Sequence, residues 1–259
     1  MDGQGWGNIF VVTLTPNTYF AVIALSLLSV ITTVAGVALA LRIGEDRKGI
    51  AAGIGFATGI MLSISLFELL PEATGEAGLW PTLATAGLGA LVLFGLHLAI
   101  PHIHLVKEEN GIGSGTLKSA YLVVFGLILH DFPEGFAMAH SYIASPSLGI
   151  LVAVAIALHN LPEEFAMAVP AVLTKRTRFL YASAALSSLA EPAGAILGLL
   201  AVNLVPALNP MFMAFAAGAM IFVSLHELVP MARKYGNLPL FAAGMGVSGI
   251  IFLLLEVMI

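Results

Sequence analysis

The sequence contains no cysteine, and only 10% of its 259 residues are charged. Without cysteine the chain can form neither a disulfide nor a thiolate metal site, so any metal would need histidine nitrogen and carboxylate or amide oxygen as ligands. A soluble domain carries about 25% charged residues, whereas 59% of this chain is hydrophobic and its mean hydropathy is +1.01. These values predict an all-α protein embedded in a lipid bilayer, with no nucleic-acid partner.

Long apolar stretches alternate with short connections along the whole chain. A helix needs about 20 mostly apolar residues to cross a bilayer. Eight segments meet this requirement, at residues 19–41, 50–70, 82–100, 117–139, 148–170, 179–204, 210–230 and 238–259. We therefore expect residues 1–259 to form a single transmembrane domain with eight helices.

The basic residues all fall on one predicted side of the membrane. The ten Lys and Arg residues are Arg42, Arg47, Lys48, Lys107, Lys118, Lys175, Arg176, Arg178, Arg233 and Lys234. They lie in the connections after the first, third, fifth and seventh segments or at the start of the next helix. Because cytoplasmic loops are enriched in basic residues, both termini should lie outside the cytoplasm. The expected location of the protein is the plasma (inner) membrane.

One ten-residue motif occurs twice in the middle of the chain. The sequence HDFPEGFAMA begins at His130, and HNLPEEFAMA begins at His159, 29 positions later. Ionisable residues inside membrane segments are costly and usually functional. Each copy therefore predicts part of a functional site near the middle of the membrane.

A second repeat relates two other segments. Residues 59–71 (GIMLSISLFELLP) and 218–230 (GAMIFVSLHELVP) share Gly, Met, Ser, Leu, Glu, Leu and Pro in register, at an offset of 159. The two segments should cross the membrane in opposite directions, and inverted repeats of this kind are typical of secondary transporters. We predict that helices 1–3 mirror helices 6–8 around helices 4 and 5; chance similarity between apolar helices is the alternative.

Helical spacing places the polar residues of each motif on one face. At about 100° per residue, Glu134 lies between His130 and Asp131, so it could share one cation with each of them. The second motif offers the same arrangement in His159, Asn160 and Glu163. If the two helices face each other, they form two adjacent cation positions bridged by the two glutamates.

A third helix contributes Glu191, which lies near the centre of its predicted span. Each charged residue at the bilayer centre costs roughly 2.5–3.5 kcal/mol, and a divalent cation offsets this cost by neutralising two carboxylates. Mixed histidine and carboxylate ligands suit Zn²⁺, Fe²⁺, Mn²⁺ or Co²⁺ better than Ca²⁺ or Mg²⁺. The alternatives are a proton relay without metal and a structural polar network between helices.

These motifs resemble those of the ZIP family of divalent metal transporters, in its bacterial and archaeal branch, over the whole chain. The resemblance implies one metal position built from His130, Glu134, His159 and Glu163. It implies a neighbouring position built from Asp131, Glu134, Asn160, Glu163 and Glu191. It further implies import of zinc and related cations, Cd²⁺ among them, by an elevator-like motion of one helix group, with a homodimer as the assembly and no separate cofactor.

Two residues depart from the family pattern. Asp131 stands where the family usually has Asn, and Glu164 stands where it usually has Gly. Both add negative charge, so the metal preference of the family cannot be transferred to this chain. Glu164 is expected at the edge of the site, either as a further ligand or paired elsewhere.

Further polar residues lie toward both faces of the membrane. Glu68 is predicted at an external entrance, with Glu72 and Glu76 as further candidates there. Its repeat mate Glu227, beside His226, is predicted at a cytoplasmic exit. The alternative is interfacial carboxylates that face water near helix ends. His102 and His104, in the connection 101–116, form either a weak metal-binding pair or ordinary solvated histidines.

A transporter is not the sole class of protein that binds metal in a membrane. An intramembrane metal-dependent hydrolase would need a tight site with one open position for an activated water. The carboxylate-rich site on a repeat axis, with polar residues toward both faces, favours a transporter, because an enzyme needs no path to the second side. His97 and His140 have no partner predictable from the sequence and are assigned structural roles.

Overall fold

The computed structural model describes residues 14–44, 46–99, 115–172, 181, 184–186 and 188–259. Every regular element in these ranges is a helix, which confirms the predicted all-α class for this part of the chain. The long helices are α1 (Pro16–Ile43), α2 (Arg47–Ala77), α3 (Leu79–Ala99), α4 (Gly115–Ala144), α5 (Pro146–Val172), α6 (Ala190–Leu204), α7 (Pro206–Arg233) and α8 (Leu238–Met258).

Seven helices in the described ranges are long and apolar enough to cross a membrane. They are α1, α2, α3, α5, α7, α8 and the span Ala184–Leu204, which contains α6. The chain is therefore an integral membrane protein. The remaining predicted segment, 117–139, coincides with the 30-residue α4, which is not among these seven, so the count of eight spans stays a prediction.

Local sequence explains where several helices begin and end. The Thr15 side chain accepts a hydrogen bond from the backbone of Thr18 and caps α1, and the side chain of Asp46 caps α2 in the same way. Such caps satisfy backbone donors that have no partner within the helix. Gly78 follows α2 with a φ of 85°, a conformation that a glycine adopts without strain.

Two helices contain a wider π-helical turn, at Ile64–Leu69 in α2 and at Ser224–Leu228 in α7. These turns contain the predicted gate residues Glu68, His226 and Glu227. Wider turns inside α-helices frequently mark functional sites. They lie in the two segments of the second sequence repeat.

The helices pack as two groups. In the first group, α1 packs along α5, α4 packs along α6, and α4 also contacts α5. In the second group, α2 packs along α8, α3 packs along α7, and α2 contacts α7. The groups meet where α2 contacts α5 and where α4 contacts α7. The repeated motifs on α4 and α5 therefore lie inside the first group, against its boundary with the second.

Candidate metal-binding site

The two copies of the repeated motif lie on helices that pack against each other, α4 and α5. Each side chain predicted as a ligand is at most 5% exposed: His130, Asp131, Glu134, His159, Asn160, Glu163 and Glu191. Charged side chains are almost never fully buried unless they are paired. The bundle interior therefore holds a concentrated polar cluster.

The glutamate of each motif lies close to the histidines of both motifs. Nε2 of His159 lies 3.1 Å from Oε1 of Glu134, and Nε2 of His130 lies 3.6 Å from the same oxygen. Glu163 contacts His130, and its Oε2 lies 3.7 Å from Nε2 of His159. The structure thus brings these four side chains into one space between α4 and α5.

Several polar atoms of this cluster have no hydrogen-bond partner among the described residues. They are Nδ1 of His130, Oε2 of Glu134 and Oε2 of Glu163, whereas Nε2 of His130 and Oε1 of Glu163 contact each other. A buried polar group without a partner costs about 1–3 kcal/mol, and more if it is charged. A bound cation would satisfy these atoms, because histidine nitrogen and carboxylate oxygen are metal ligands.

Three of these residues are spaced to hold one ion. One ligand atom each from His130, Glu134 and Glu163 lie within 4.8 Å of one another. Ligand atoms of a tetrahedral zinc ion at about 2.0–2.2 Å lie about 3.3–3.6 Å from one another. The three side chains would therefore draw together by up to about 1 Å to bind one ion, which leaves the fourth position to a further ligand.

His159 is oriented by its own helix. Its Nδ1 lies 3.1 Å from the backbone oxygen of Ala155. Since a carbonyl oxygen can only accept, Nδ1 donates to it, and this bond aims Nε2 at Oε1 of Glu134. A hydrogen bond at one ring nitrogen commonly fixes the tautomer and orientation of a metal-binding histidine.

Asn160 and Glu191 lie beside this cluster and bind each other. Nδ2 of Asn160 donates to Oε2 of Glu191 at 3.3 Å, and the Ser29 side chain of α1 also hydrogen-bonds to Glu191. Glu191 is in the first turn of α6, where the helix dipole favours a carboxylate.

The predicted helix 179–204 is divided before Glu191, because a turn at 188–189 precedes α6. Pro192 occupies the first turn of α6, where a missing N–H is tolerated.

The two residues that depart from the family pattern are both buried in the same region. Glu164 is 3% exposed, and its strongest electrostatic neighbours are Asp131 and Glu163. The backbone of α1 at Gly36 comes close to Cβ of Glu164. The group of three ligand atoms spaced for one ion does not include His159, and it includes none of the acidic residues Asp131, Glu164 and Glu191.

The predicted exit residues form a cluster with a third residue that sequence reasoning missed. Nε2 of His226 lies 3.1 Å from Nε2 of His97, and Oε1 of Glu227 lies 3.7 Å from Nδ1 of His97. His97 and Glu227 are 26% and 24% exposed, and Glu227 interacts electrostatically with His130 of the central cluster. His97 is 129 positions from His226, so local spacing gave no signal of the contact.

The other predicted peripheral sites are less defined. Glu68 is partly exposed, and its nearest charges are the carboxylates of Glu256 and Glu72. His102 and His104 lie outside the described residues.

Comparisons with known proteins identify relatives over most of the chain. The family model of the ZIP zinc transporters matches residues 102–255. Zinc transporter ZupT of Chlorobium limicola is 34% identical over 266 residues, covering 92% of this chain and 99% of that protein. Zinc transporter ZupT of Escherichia coli O7:K1 is 37% identical over 226 residues, covering 82% of this chain and 87% of that protein. From these matches, this chain belongs to the ZIP zinc transporter family.

Proposed function

We propose that this protein transports zinc and related divalent cations across the membrane into the cytoplasm. The observation that carries the proposal is the buried cluster of His130, Glu134 and Glu163, which offers one ligand atom from each residue within 4.8 Å of one another and contains polar atoms without hydrogen-bond partners. The ZupT relatives are zinc transporters, so the chain is a transporter and not an enzyme. Fe²⁺, Mn²⁺, Co²⁺ and Cd²⁺ are proposed as further cargo, since the same ligand types bind them.

The ligands fall into two adjacent positions. We assign the first position to His130, Glu134, His159 and Glu163. We assign the second position to Asp131, Glu134, Asn160, Glu163 and Glu191. The first is supported by short contacts across α4 and α5, and the second by the burial of all its members around the bonded Asn160–Glu191 pair.

Asp131 and Glu164 give the second position an unusually acidic surrounding. Both are buried, and they are electrostatic neighbours. Oxygen-rich sites favour Mn²⁺ and other hard cations relative to sites that contain imidazole. We therefore propose that the second position accepts harder cations than the first position, which contains two histidines.

The packing supports two inverted repeats around α4 and α5. At the offset of 159, α3 (Leu79–Ala99) corresponds to α8 (Leu238–Met258) residue for residue. A Cβ on Gly59 of α2 would meet the backbone of Met245 in α8, and a Cβ on Gly218 of α7 would meet the backbone of Ala86 in α3. The offset relates Gly59 to Gly218 and Ala86 to Met245, so the two contacts are equivalent. The contact of α2 with α5 likewise corresponds to the contact of α7 with α4, when the repeat also exchanges α4 and α5.

This arrangement extends to the whole chain. With α4 as an eighth span, residues 1–259 form one transmembrane domain with both termini outside the cytoplasm. Its proposed setting is the plasma (inner) membrane, as a homodimer. The basic residues of alternate connections support the orientation.

Transport requires that the buried site open to each side in turn. The first group, α1, α4, α5 and α6, holds all the proposed ligands, and the second group, α2, α3, α7 and α8, holds the gate residues of both π-helical turns. We propose that the first group moves against the second and carries the cation between the two gates. The half-exposed cluster of His97, His226 and Glu227 then receives the cation on the cytoplasmic side, and Glu68 lies on the external side.

Zinc flux tests the proposed function directly. Purified protein is inserted into liposomes that contain a zinc-sensitive dye, and zinc is added outside. Saturable influx with the parent protein and none with Glu163→Ala is the expected result. Stoichiometric zinc binding without influx, in protein whose insertion has been verified, would contradict transport.

The exit cluster makes a separate prediction. Glu227→Gln should lower the maximal rate of zinc influx by about 10- to 100-fold, the usual loss when a residue next to a metal position is removed. Zinc binding at the central site should remain, because Glu227 is not one of its ligands. Isothermal titration of the same variant measures that binding. Loss of central binding, or an unchanged maximal rate, would show that Glu227 does not act as an exit.

A further inference from the structure

A buried hydrogen-bonded pair connects the two helix groups at the end opposite the exit cluster. Nδ1 of His140, near the end of α4, lies 2.7 Å from Oδ1 of Asn209, at the start of α7. In return, Nδ2 of Asn209 donates to the backbone oxygen of His140 at 3.2 Å. The amide must present its oxygen to the ring, so Nδ1 of His140 is the donor. The two bonds fix each other's geometry.

The pair is enclosed rather than open to solvent. His140 is fully buried, and Asn209 is 6% exposed. The His140 ring packs against Phe136 of its own helix at 4.3 Å and against Phe212 of α7 at 4.9 Å between ring centroids. Since water is excluded, breaking the two hydrogen bonds would leave polar atoms without partners unless the helices part and admit water.

The location of the pair at the group boundary distinguishes it from other contacts. Thr85 with Met211 and His97 with His226 each join helices of the second group, and Asn160 with Glu191 joins helices of the first. The His140–Asn209 pair instead joins α4 to α7. At the other boundary, between α2 and α5, a Cβ on Gly53 would meet the apolar ring of Pro162.

The two ends of the bundle differ in exposure. The His140–Asn209 pair is sealed, whereas His97 and Glu227 at the opposite end are each about one quarter exposed. The described arrangement is therefore sealed beside His140, whereas the exit cluster is partly accessible. A bond across the group boundary at the closed end stabilises this arrangement relative to one in which that end is open.

We infer that the His140–Asn209 pair is a latch that holds the external end of the transporter closed and breaks in each transport cycle. The inference rests on the proposed movement of one helix group against the other. Removing the latch should raise the population of the externally open state about tenfold, as expected for two net hydrogen bonds. Because only that state binds external zinc, the KM for zinc influx should fall.

The test uses the natural absence of cysteine. Spin labels are attached at Ser147→Cys, at the start of α5, and at Ala207→Cys, at the start of α7; both positions are exposed. Distances between the labels are measured by electron–electron double resonance in liposomes. Asn209→Leu and His140→Phe, which remove the hydrogen bonds and keep apolar volume, should each add a longer-distance population. The double variant should add no more than either single variant.

A matched control removes a buried hydrogen bond that stays within one helix. Ser141 is fully buried and donates to the backbone oxygen of Ala137 at 2.7 Å, so Ser141→Ala should keep the parent distances. Unchanged distances in folded Asn209→Leu and His140→Phe would overturn the latch. Absence of zinc influx in the parent would instead count against the proposed function, while the distances still judge the latch.

A second measurement keeps Asn209 and His140 intact, in case their variants do not fold. The cysteines at positions 147 and 207 are joined by a short bifunctional thiol reagent that a reductant cleaves. The joined protein should lose zinc influx and regain it on reduction. Full influx with the cross-link in place would show that these ends do not separate, which contradicts the latch.

Discussion

Zinc influx into liposomes is expected to fall at least about 100-fold when Glu134 is replaced by glutamine. Replacing a residue that only supports a metal ligand already lowers metal affinity or activity by about 10- to 100-fold. Oε1 of Glu134 lies 3.1 Å from His159 and 3.6 Å from His130. One substitution therefore removes a charged oxygen from the space shared by both motifs. Glutamine keeps the size of the side chain, so a loss of influx would reflect the lost charge and ligand strength.

The measurement combines zinc binding with influx. Glu134→Gln should weaken zinc binding by a similar factor, since glutamine offers one neutral oxygen. The matched control is Glu256→Gln, the same chemical change at an exposed position of α8, which should leave both quantities near those of the parent. Parent-like influx in Glu134→Gln would remove Glu134 from the transport site and leave the polar-network interpretation for the cluster.

Much of the central cluster could be predicted because one local rule governs it. A helix places residues three and four apart on the same face, so the spacing of His130 and Glu134, and of His159 and Glu163, was sufficient to predict that they lie together. The contacts between the two motifs, such as Glu134 with His159, additionally required α4 and α5 to face each other. The duplicated motif made that prediction reasonable, because repeated units tend to pack in equivalent ways.

Other contacts had no local signal. His97 meets His226 across 129 positions, and His140 meets Asn209 across 69, so each contact depends on which helices become neighbours. The hydrophobic pattern of a membrane helix does not specify its neighbours, because lipid and helix surfaces are both apolar. The sequence for this reason predicted structural roles for His97 and His140 without their partners.

The start of α6 illustrates a further limit. An apolar run was sufficient to predict the segment 179–204, but the turn at 188–189 places Glu191 in a first helical turn instead of a helix interior. Pro192 suits the first turn of a helix, and membrane helices also contain proline as an internal kink, so the sequence alone could not separate the two settings.

The close packing of α4 against α6 places Glu191 at the site, and it leads to the second prediction. A Cβ on Gly135 would lie 1.8 Å from the backbone oxygen of Glu191, and a Cβ on Gly194 would lie 2.2 Å from the backbone oxygen of Phe132. Backbone oxygens cannot rotate away as side chains do. Gly135→Ala must therefore push α6 away from α4 and move Glu191 away from Asn160 and the central cluster.

We expect Gly135→Ala to lower the free energy of unfolding by about 1–3 kcal/mol or more, the usual cost of overpacking, and to reduce zinc influx severely. The matched control is Gly246→Ala in α8, where a Cβ would have no neighbour within 4 Å. Its influx should equal that of the parent, and its stability should be unchanged or up to about 1 kcal/mol higher, because alanine favours a helix over glycine. Thermal unfolding in detergent and liposome influx measure the two effects. Equal stability and equal influx in Gly135→Ala and Gly246→Ala would show that the backbone contact between α4 and α6 does not position Glu191. The proposed role of Glu191 as a ligand of the second position would then lose its structural support.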